Sequence, residues 1–502
     1  MLRRVLTWRG VEETDSKDDF DRADIGIAWR IFLTVCLISA FFADASPPGF
    51  YRFERLTIAM IESQSLSVEG QDALYGHEID TVEINGRKYI NHNPGTSFLA
   101  IPAYAVFSVL KSNPTLIAFF ESYPMTELQL IRVVFVVGAI APFSALLIAL
   151  LYLALRRVGV AIRRALGIAF LAYIGTALAY HSRITNNNIL EASLTFAAFY
   201  LIQVAGPHSK KTGMFALSGF SLGLAFVSNW STAFSMPAIL AYAWFRCGSK
   251  SLIYMGLGFL PGLITLMLYQ TVAFGNPFLS PSVVTVGPIH LSKLDIVLLI
   301  DTLFEQAVGW RLGLLTFCPI LLLVLLGLVR RQRLFSKVFN KFVLLQFASY
   351  FVLMSLAQAY LRSIEPGINP GEGWHGWLLG GGPRYLLPVI PFVMFLIGQL
   401  ELRNGLETGF AATVTITSVL LNVPSLMYLG GNASFYNHFL LMLKNGISSS
   451  MFREMLLFLE TNSEFNLSTF SIAPALILLV VAITLVWGHR VILAFWASAT
   501  SQ

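Results

Sequence analysis

Long apolar runs alternate with short polar segments along most of the chain. A helix needs about 20 apolar residues to cross a bilayer, and runs of this kind recur from residue 26 to residue 488. The pattern predicts about twelve membrane-spanning helices. The predicted spans are 26–43, 130–155, 165–181, 188–205, 213–228, 231–246, 251–274, 312–329, 340–360, 384–399, 408–428 and 469–488.

A further apolar stretch, 96–110, is too short for a full span and contains Pro102. Proline removes a helical hydrogen bond, so we expect it to break this segment. We interpret the stretch as a half-inserted helix. Counting it as a span would move the arginines of 156–164 to the outer side, against the positive-inside rule.

The polar region between the first two spans, 44–129, is the largest one in the first half of the chain and has structure of its own. Tyr51 to Val68 carries apolar residues at near-helical spacing, which predicts an amphipathic helix on the surface. Thr81 to Asn91 alternates around Asn85-Gly86, which predicts a small β-hairpin. This hairpin carries Arg87 and Lys88.

Composition agrees with a membrane protein. The chain is 56% hydrophobic and 12% charged, whereas soluble domains carry roughly twice that share of charge. We predict an all-α polytopic membrane protein, one domain over 1–502, with a large first extracytoplasmic loop. The net charge of +6 comes from short basic clusters between apolar runs and does not indicate nucleic-acid binding.

The basic clusters predict the orientation. With the N-terminus in the cytoplasm, they fall into cytoplasmic loops, as the positive-inside rule requires. The outer regions are then 44–129, 275–311, 361–383 and 429–468, and most of the unusual polar motifs lie in them. We therefore expect an active site on the extracytoplasmic side of a multi-pass protein of a bacterial inner or plasma membrane.

Two carboxylates at the start of the first loop are the candidate catalytic groups. Asp44 follows the first span directly, and Glu54 comes soon after it. A carboxylate at that depth can accept a proton from an incoming hydroxyl or bind a metal ion. No His/Cys spacing typical of zinc occurs, so no cofactor is expected, although the carboxylates could hold a divalent cation.

The segment Gly371 to Pro391 combines glycines, tryptophans and an arginine. Glycines allow a ligand to approach the backbone closely, and tryptophans suit a membrane interface or a sugar face. Arg384 begins a span, at the depth of a lipid phosphate, where a guanidinium can bind two oxygens. We predict phosphate binding by Arg384, with His375 as a further donor to the phosphate or the sugar.

Other polar residues extend the predicted binding set. Arg311, Arg87 and Lys88 would complete a positive ring around an anionic leaving group. The amides of 186–188, with Glu191, either line a polar cavity that includes Asn188 or cap a helix.

These segments resemble the GT-C superfamily of polytopic glycosyltransferases, which includes protein O-mannosyltransferases and lipid A aminoarabinose transferases. Tyr89 to Tyr104, with Asn93-Pro94-Gly95, looks like the family's Pro-Pro-Gly segment. Gly309 to Leu328 and Gly380 to Pro391 are similar to recurring elements, the latter a Gly-Pro-Arg-Tyr that contains Tyr385. The likeness covers most of the chain in layout and short patches in sequence.

The resemblance implies transfer of a sugar from a polyprenyl-phosphate donor to a lipid, glycan or protein acceptor, with inversion. An acidic residue of the first loop would deprotonate the acceptor, and basic residues would hold the lipid phosphate. Well-known members carry an acidic pair just before an Arg-Tyr, whereas this chain reads Gly49-Phe50-Tyr51 before Arg52. The base would then be Asp44 or Glu54.

Two other functions fit part of the pattern. A transporter or flippase for a lipid-linked glycan would share the outer arginines but would need charged groups deep in the spans, where we find Glu191, Arg30 and Arg132. An O-antigen ligase or polymerase would carry its large outer loop late in the chain, and here the large loop comes early.

Overall fold

The structure is a computed structural model of the chain. It describes residues 22–44, 52–71, 81–114, 127–206, 212–281, 294–309, 313–330, 337–364, 383–427, 435–445, 449 and 473–488. Two predicted site residues, Arg311 and His375, lie outside these ranges.

Helices dominate the described residues. The first half contains α1 Arg22–Phe41, α2 Arg52–Glu62, α3 Gly95–Lys111, α4 Glu127–Arg157, α5 Ile162–Ile174, α6 Leu178–His181, α7 Asn187–Ala205, α8 Thr212–Ser228 and α9 Thr232–Cys247. The second half contains α10 Ser249–Phe274, α11 Ile296–Val308, α12 Leu314–Phe317, α13 Leu322–Val329, α14 Val338–Ile364, α15 Ile390–Ile397, α16 Gly405–Met427, α17 Phe435–Asn445 and α18 Ala473–Trp487. The strands are β1 Thr81–Ile84 and β2 Arg87–Ile90.

Among the described residues, six helices are long and apolar enough to cross a membrane: α1, α4, α7, α10, α14 and α16. Shorter apolar helices cover Gly95–Lys111, Thr212–Ser228, Pro319–Val329, Arg384–Ile397 and Ala475–Trp487. The chain is therefore an integral, multi-pass, all-α membrane protein, as its apolar pattern predicted.

Each predicted span coincides with helical structure, but two of them are divided. Within the span predicted at 165–181, α5 ends at Ile174 with Gly175 as its cap, and α6 begins at Leu178 after a turn. The span predicted at 312–329 is interrupted before Pro319, whose ring nitrogen has no hydrogen to donate to the preceding turn. Conversely, α4 runs unbroken from Glu127 to Arg157 through a π-helical segment at Val136–Ile140.

Proline at position 102 does not break its helix, so that part of the prediction was wrong. Helix α3 continues through Pro102 for 17 residues. Its side chains Ala100, Tyr104 and Phe107 are buried in a hydrophobic cluster on both sides of the proline. Tertiary packing of this kind offsets the single hydrogen bond that proline removes.

The first outer loop has a hydrophobic core separate from that of the main bundle. It joins α2, β2, α3, the first half of α4 and the last turns of α10. Helix α2 lies where the apolar spacing predicted it, yet it ends at Glu62 and is enclosed by its neighbours rather than lying on the surface. Seven of its residues are buried, including the charged Glu54 and Arg55.

The predicted β-hairpin is present. Strands β1 and β2 pair antiparallel, with Thr81 opposite Ile90 and Ile84 opposite Arg87. The turn residues Asn85 and Gly86 have φ values of 53° and 75°. Positive φ at both central residues is the requirement of a type I′ turn, which Asn-Gly meets at least cost.

The two ends of the bundle differ in their polar contacts. At one end, Asp24 accepts a hydrogen bond from Arg156 at 2.8 Å, which ties the start of α1 to the end of α4. Arg330 and Glu407 form an ion pair that joins the end of α13 to the start of α16. Asp44 follows the opposite end of α1, so the carboxylate and these basic clusters lie at opposite ends of the bundle.

Candidate active site

Asp44 lies three residues beyond the end of α1 and is fully buried. Its backbone N–H donates to the carbonyl oxygen of Arg183 at 2.9 Å. Burial lowers the pKa of the Arg183 guanidinium, and the nearby charge of Asp44 opposes this shift. The carboxylate and the guanidinium are therefore neighbours, although they come from distant parts of the chain.

Tyr180, on the short helix α6, is the point at which the charged groups converge. It is buried, and the Arg183 guanidinium carbon lies 5.2 Å from the centre of its ring. The charges of Arg183, Asp44, Arg132 and Arg384 all act on its hydroxyl. Three guanidinium groups and one carboxylate thus lie within electrostatic range of this tyrosine.

Arg384 opens the 3-10 turn Arg384–Val389 that precedes α15. One of its terminal nitrogens donates to the Tyr385 hydroxyl at 2.6 Å, and its guanidinium carbon lies 4.7 Å from the centre of the Tyr385 ring. Its Nε is buried and has no hydrogen-bond partner among the described residues. The arginine is therefore held by its neighbour while part of its hydrogen-bonding capacity is unused.

His92 adds a neutral imidazole beside two arginines. Its Nδ1 donates a hydrogen bond to the Asn91 side-chain oxygen, and its ring packs edge-on against Phe53, at 6.1 Å between ring centres. Burial, together with the charges of Arg52 and Arg384, lowers the pKa of His92 well below its usual value. The imidazole is therefore neutral at neutral pH, with its one N–H donated to Asn91 and its other ring nitrogen an acceptor.

Glu54 is fully buried on α2, and neither of its carboxylate oxygens makes a hydrogen bond with a described residue. The helix around it is fixed against the start of α3. The Ser97 hydroxyl donates to the Phe53 carbonyl at 2.9 Å, and the Thr57 hydroxyl donates to the Ser97 carbonyl at 3.0 Å. Burying a carboxylate without hydrogen-bond donors costs free energy. The packing of α2 therefore holds Glu54 in its buried position.

Asn93 makes a contact within the fold. Its side-chain nitrogen donates to the Phe226 carbonyl at 2.8 Å near the end of α8. A Cβ on Gly95 would lie 2.5 Å from the Ser228 backbone nitrogen, so only glycine allows this approach. The Asn-Pro-Gly segment therefore anchors α3 to α8.

Asn188 belongs to a buried hydrogen-bonded set. The helix cap of α7 is Asn186, whose side-chain oxygen accepts from the Asn188 backbone N–H at 2.8 Å. The Asn188 side chain accepts from Asn229 at 2.8 Å. The helix cap is therefore present, with Asn186 as the capping residue, and Asn188 joins a buried network of hydrogen bonds.

Two basic residues of the predicted ring, Arg87 and Lys88, lie on the hairpin. Arg87 is exposed at its turn, and the Lys88 backbone N–H donates to Glu69 at 2.7 Å. As to metals, no group of three or more His, Cys, Asp or Glu side chains within the described ranges could hold an ion.

Several polar residues at this site were not assigned to it from the sequence. They are Arg52, His92, Tyr180 and Arg183, while Arg132 was noted only as a charge within a span. The sequence does contain a signal for Arg132 and Arg183 as site residues. Burying an arginine in or beside an apolar run costs free energy unless it has a function or a partner.

Comparison with solved structures finds polytopic transferases. The chain aligns with ArnT from Cupriavidus metallidurans bound to undecaprenyl phosphate, at 15% identity and a TM-score of 0.46, over 86% of this chain and 75% of that one. It aligns with the oligosaccharyltransferase AglB from Archaeoglobus fulgidus, solved with an inhibitory peptide and a dolichol-phosphate, at 15% identity and a TM-score of 0.40, over 86% and 59%.

No protein-family profile matches the chain, and no curated protein matches it significantly. The function below rests on the chain's own residues.

Proposed function

We propose that the protein is a glycosyltransferase that moves a sugar from a polyprenyl-phosphate donor to an acceptor at the extracytoplasmic membrane face. The observation that carries the proposal is the convergence of Arg132, Arg183 and Arg384 around Tyr180 and Asp44. Buried positive charge in excess of nearby carboxylate suits an anionic ligand, and the end of a transmembrane bundle suits one that is anchored in lipid.

The arginines would bind the phosphate of the donor. Negative charge develops on the phosphate oxygen as its bond to the sugar breaks, so fixed guanidinium groups stabilise the transition state more than the ground state. Arg384 lies at the start of a helical segment and has an Nε without a hydrogen-bond partner among the described residues, which supports a role in binding the phosphate.

Asp44 would act as the general base. It is the carboxylate that shares the surroundings of Tyr180 with Arg384, which supports a position close to the reacting centre. The acceptor hydroxyl would give its proton to Asp44 while its oxygen attacks the anomeric carbon. The carbon–oxygen bond to the phosphate breaks in the same step, the electron pair leaves with the lipid phosphate, and one displacement inverts the anomeric carbon.

The extracytoplasmic location follows from charge. Arg156 and Arg330 are at the end of the bundle opposite to Asp44, and the positive-inside rule assigns that basic end to the cytoplasm. The carboxylate and the guanidinium groups of Arg183 and Arg384 would then face the outer side.

The test is transfer from a radiolabelled polyprenyl-phosphate sugar by purified protein, comparing Asp44→Asn with Asp301→Asn. Asp301 pairs with Arg362 at 2.7 Å, away from the proposed site, and is the matched carboxylate control. We expect Asp44→Asn to lower kcat by roughly 100-fold or more, the scale of general-base catalysis, and Asp301→Asn to leave it within about twofold.

The same assay separates the alternatives. If Glu54→Gln abolishes transfer and Asp44→Asn does not, the base is Glu54. If wild type neither transfers nor hydrolyses any donor but moves a labelled lipid-linked glycan across proteoliposomes, the protein is a transporter and the enzymatic proposal is wrong.

A further inference from the structure

Glu191 is a buried carboxylate for which the proposed reaction has no use. It lies on α7 and is fully buried. Asn229 and Ser231 donate to its Oε2 at 2.8 and 2.7 Å, and the Tyr350 hydroxyl donates to its Oε1 at 3.0 Å. All three donors are neutral, and they come from two segments of the fold, residues 229–231 and α14.

The hydrogen bonds continue from Glu191 toward one side of the site. The Asn229 side-chain nitrogen also donates to Asn188 at 2.8 Å, and Asn188 donates in turn to Asn186 at 3.0 Å. Asn186 donates to Nδ1 of His181 at 2.6 Å. The ring of His181 packs edge-on against that of Tyr180, at 5.0 Å between ring centres, and so the chain of contacts ends at the tyrosine beside Asp44.

In the other direction, packing leads from Glu191 to the arginine. Tyr350, whose hydroxyl donates to Glu191, lies on α14, and α14 packs against the 3-10 turn Arg384–Val389. Tyr385 accepts a hydrogen bond from Arg384 and stacks under its guanidinium. Glu191 therefore lies between Tyr180, which borders Asp44, and Tyr385, which orients Arg384.

We propose that Glu191 is a positioning residue, which fixes the separation between Asp44 and the phosphate-binding Arg384 through Tyr350 and the Asn188–Asn229 pair. The inference rests on the proposed function for its catalytic consequence. Glu191 does not touch the substrate itself, since its oxygens are occupied by protein donors.

The chemistry of the side chain explains why a carboxylate occupies this position. Three donors converge on two oxygens, and a carboxylate can accept all of them. A glutamine would turn an NH₂ group toward at least one donor, and a leucine would leave three buried donors without an acceptor. Either change would let α7, the start of α9 and α14 separate slightly, and misplacement of about 1 Å can cost on the order of 100-fold in rate.

The test compares Tyr350→Phe with Ser235→Ala. Each change removes one buried hydroxyl that joins α14 to a neighbouring helix. The Tyr350 hydroxyl donates to Glu191 on α7, whereas the Ser235 hydroxyl on α9 accepts a hydrogen bond from Gln346 at 2.6 Å, outside the Glu191 network. We expect Tyr350→Phe and Glu191→Gln to lower kcat by about tenfold or more with little change in the donor KM. Ser235→Ala should stay within about twofold of wild type while losing a similar amount of thermal stability.

Hydrogen–deuterium exchange gives a readout that does not need activity. In Tyr350→Phe, we expect faster exchange both in residues 178–186 and in residues 384–389, two segments on opposite sides of the network. Ser235→Ala should leave both unchanged.

The outcomes separate the two claims. Exchange could become faster in both segments of Tyr350→Phe while the wild-type protein transfers no sugar. That result would support Glu191 as the connection between the two segments and would overturn the glycosyltransferase proposal. An active Tyr350→Phe variant with wild-type kcat and unchanged exchange would overturn the role of Glu191 and leave the transferase standing.

Discussion

At the scale of single residues, Arg384 shows how a side chain can be both held and available. Its stacking on Tyr385 and the hydrogen bond to the Tyr385 hydroxyl limit its rotamers. Its buried Nε has no hydrogen-bond partner among the described residues, which leaves a donor for a ligand. A guanidinium fixed in this way loses less side-chain entropy when it binds a phosphate.

Replacing Arg384 by lysine should weaken binding of the lipid phosphate while keeping the charge. Lysine lacks the planar fork and cannot stack on Tyr385 in the same way, so we expect roughly tenfold lower affinity for undecaprenyl phosphate. Tryptophan fluorescence titration of the purified protein would measure it. Arg362→Lys is the matched control, since Arg362 donates to Asp301 and Thr302 at 2.7 Å each. Equal affinity in both variants would contradict phosphate binding by Arg384.

His92 makes the stability of the protein depend on pH in a defined direction. Its pKa is lowered in the folded protein, so the unfolded chain binds more protons as the pH falls below the ordinary histidine value of about 6.5. This part of the stability is complete above that pH and is lost on acidification. We expect His92→Gln to show a smaller fall in Tm between about pH 7.5 and pH 5.5 than wild type. An unchanged fall would show that the histidine titrates normally.

At the scale of elements, glycines let α8 and α10 pack against each other closely. Gly219 and Gly223 on α8 face Met255, Phe259 and Gly262 on α10, and Gly258 faces the carbonyl of Ala216. The Gly-x-x-x-Gly spacing occurs in both helices, as is typical of membrane helices whose backbones touch.

Adding one methyl group should have different effects on stability at two glycines of α10. A Cβ at position 258 would lie 1.9 Å from the Ala216 carbonyl oxygen, whereas a Cβ at position 256 would meet nothing within 4 Å. We expect Gly258→Ala to destabilise the protein by about 1–3 kcal/mol, the usual cost of overpacking, and Gly256→Ala to be neutral or slightly stabilising. Thermal melts in detergent would measure both, and equal melting temperatures would refute close contact between the helices.

What the sequence could predict at this scale depends on how local each signal is. The hairpin turn was predictable because Asn85-Gly86 carries its conformational preference in two adjacent residues. The persistence of α3 through Pro102 was not, because it depends on burial against other elements. The proximity of Arg183 and Asp44 was not predictable either, because no local sequence pattern indicates which distant segments of the chain come together.

At the scale of the whole molecule, the polar groups divide between the two ends of the bundle. Basic residues that tie helix ends together, such as Arg156 and Arg330, occupy one end. The proposed site occupies the other end, together with the first-loop core and a cluster in which Lys111 pairs with Glu62 at 2.9 Å and with Glu127 at 2.6 Å. This division gives the molecule a direction in the membrane that can be measured.

Cysteine labelling in intact cells tests that direction. In a background without Cys36, Cys247 and Cys318, a single thiol would be introduced as Ser112→Cys or as Ala161→Cys, both exposed positions just outside helices. Ser112 adjoins Lys111 at the end of the proposed site, whereas Ala161 precedes α5 beside the basic end. We expect a membrane-impermeant maleimide to label Ser112→Cys directly and Ala161→Cys only after permeabilisation. The reverse pattern would put Asp44 and Arg384 in the cytoplasm, where the basic clusters would oppose the positive-inside rule and an extracytoplasmic transferase could not operate.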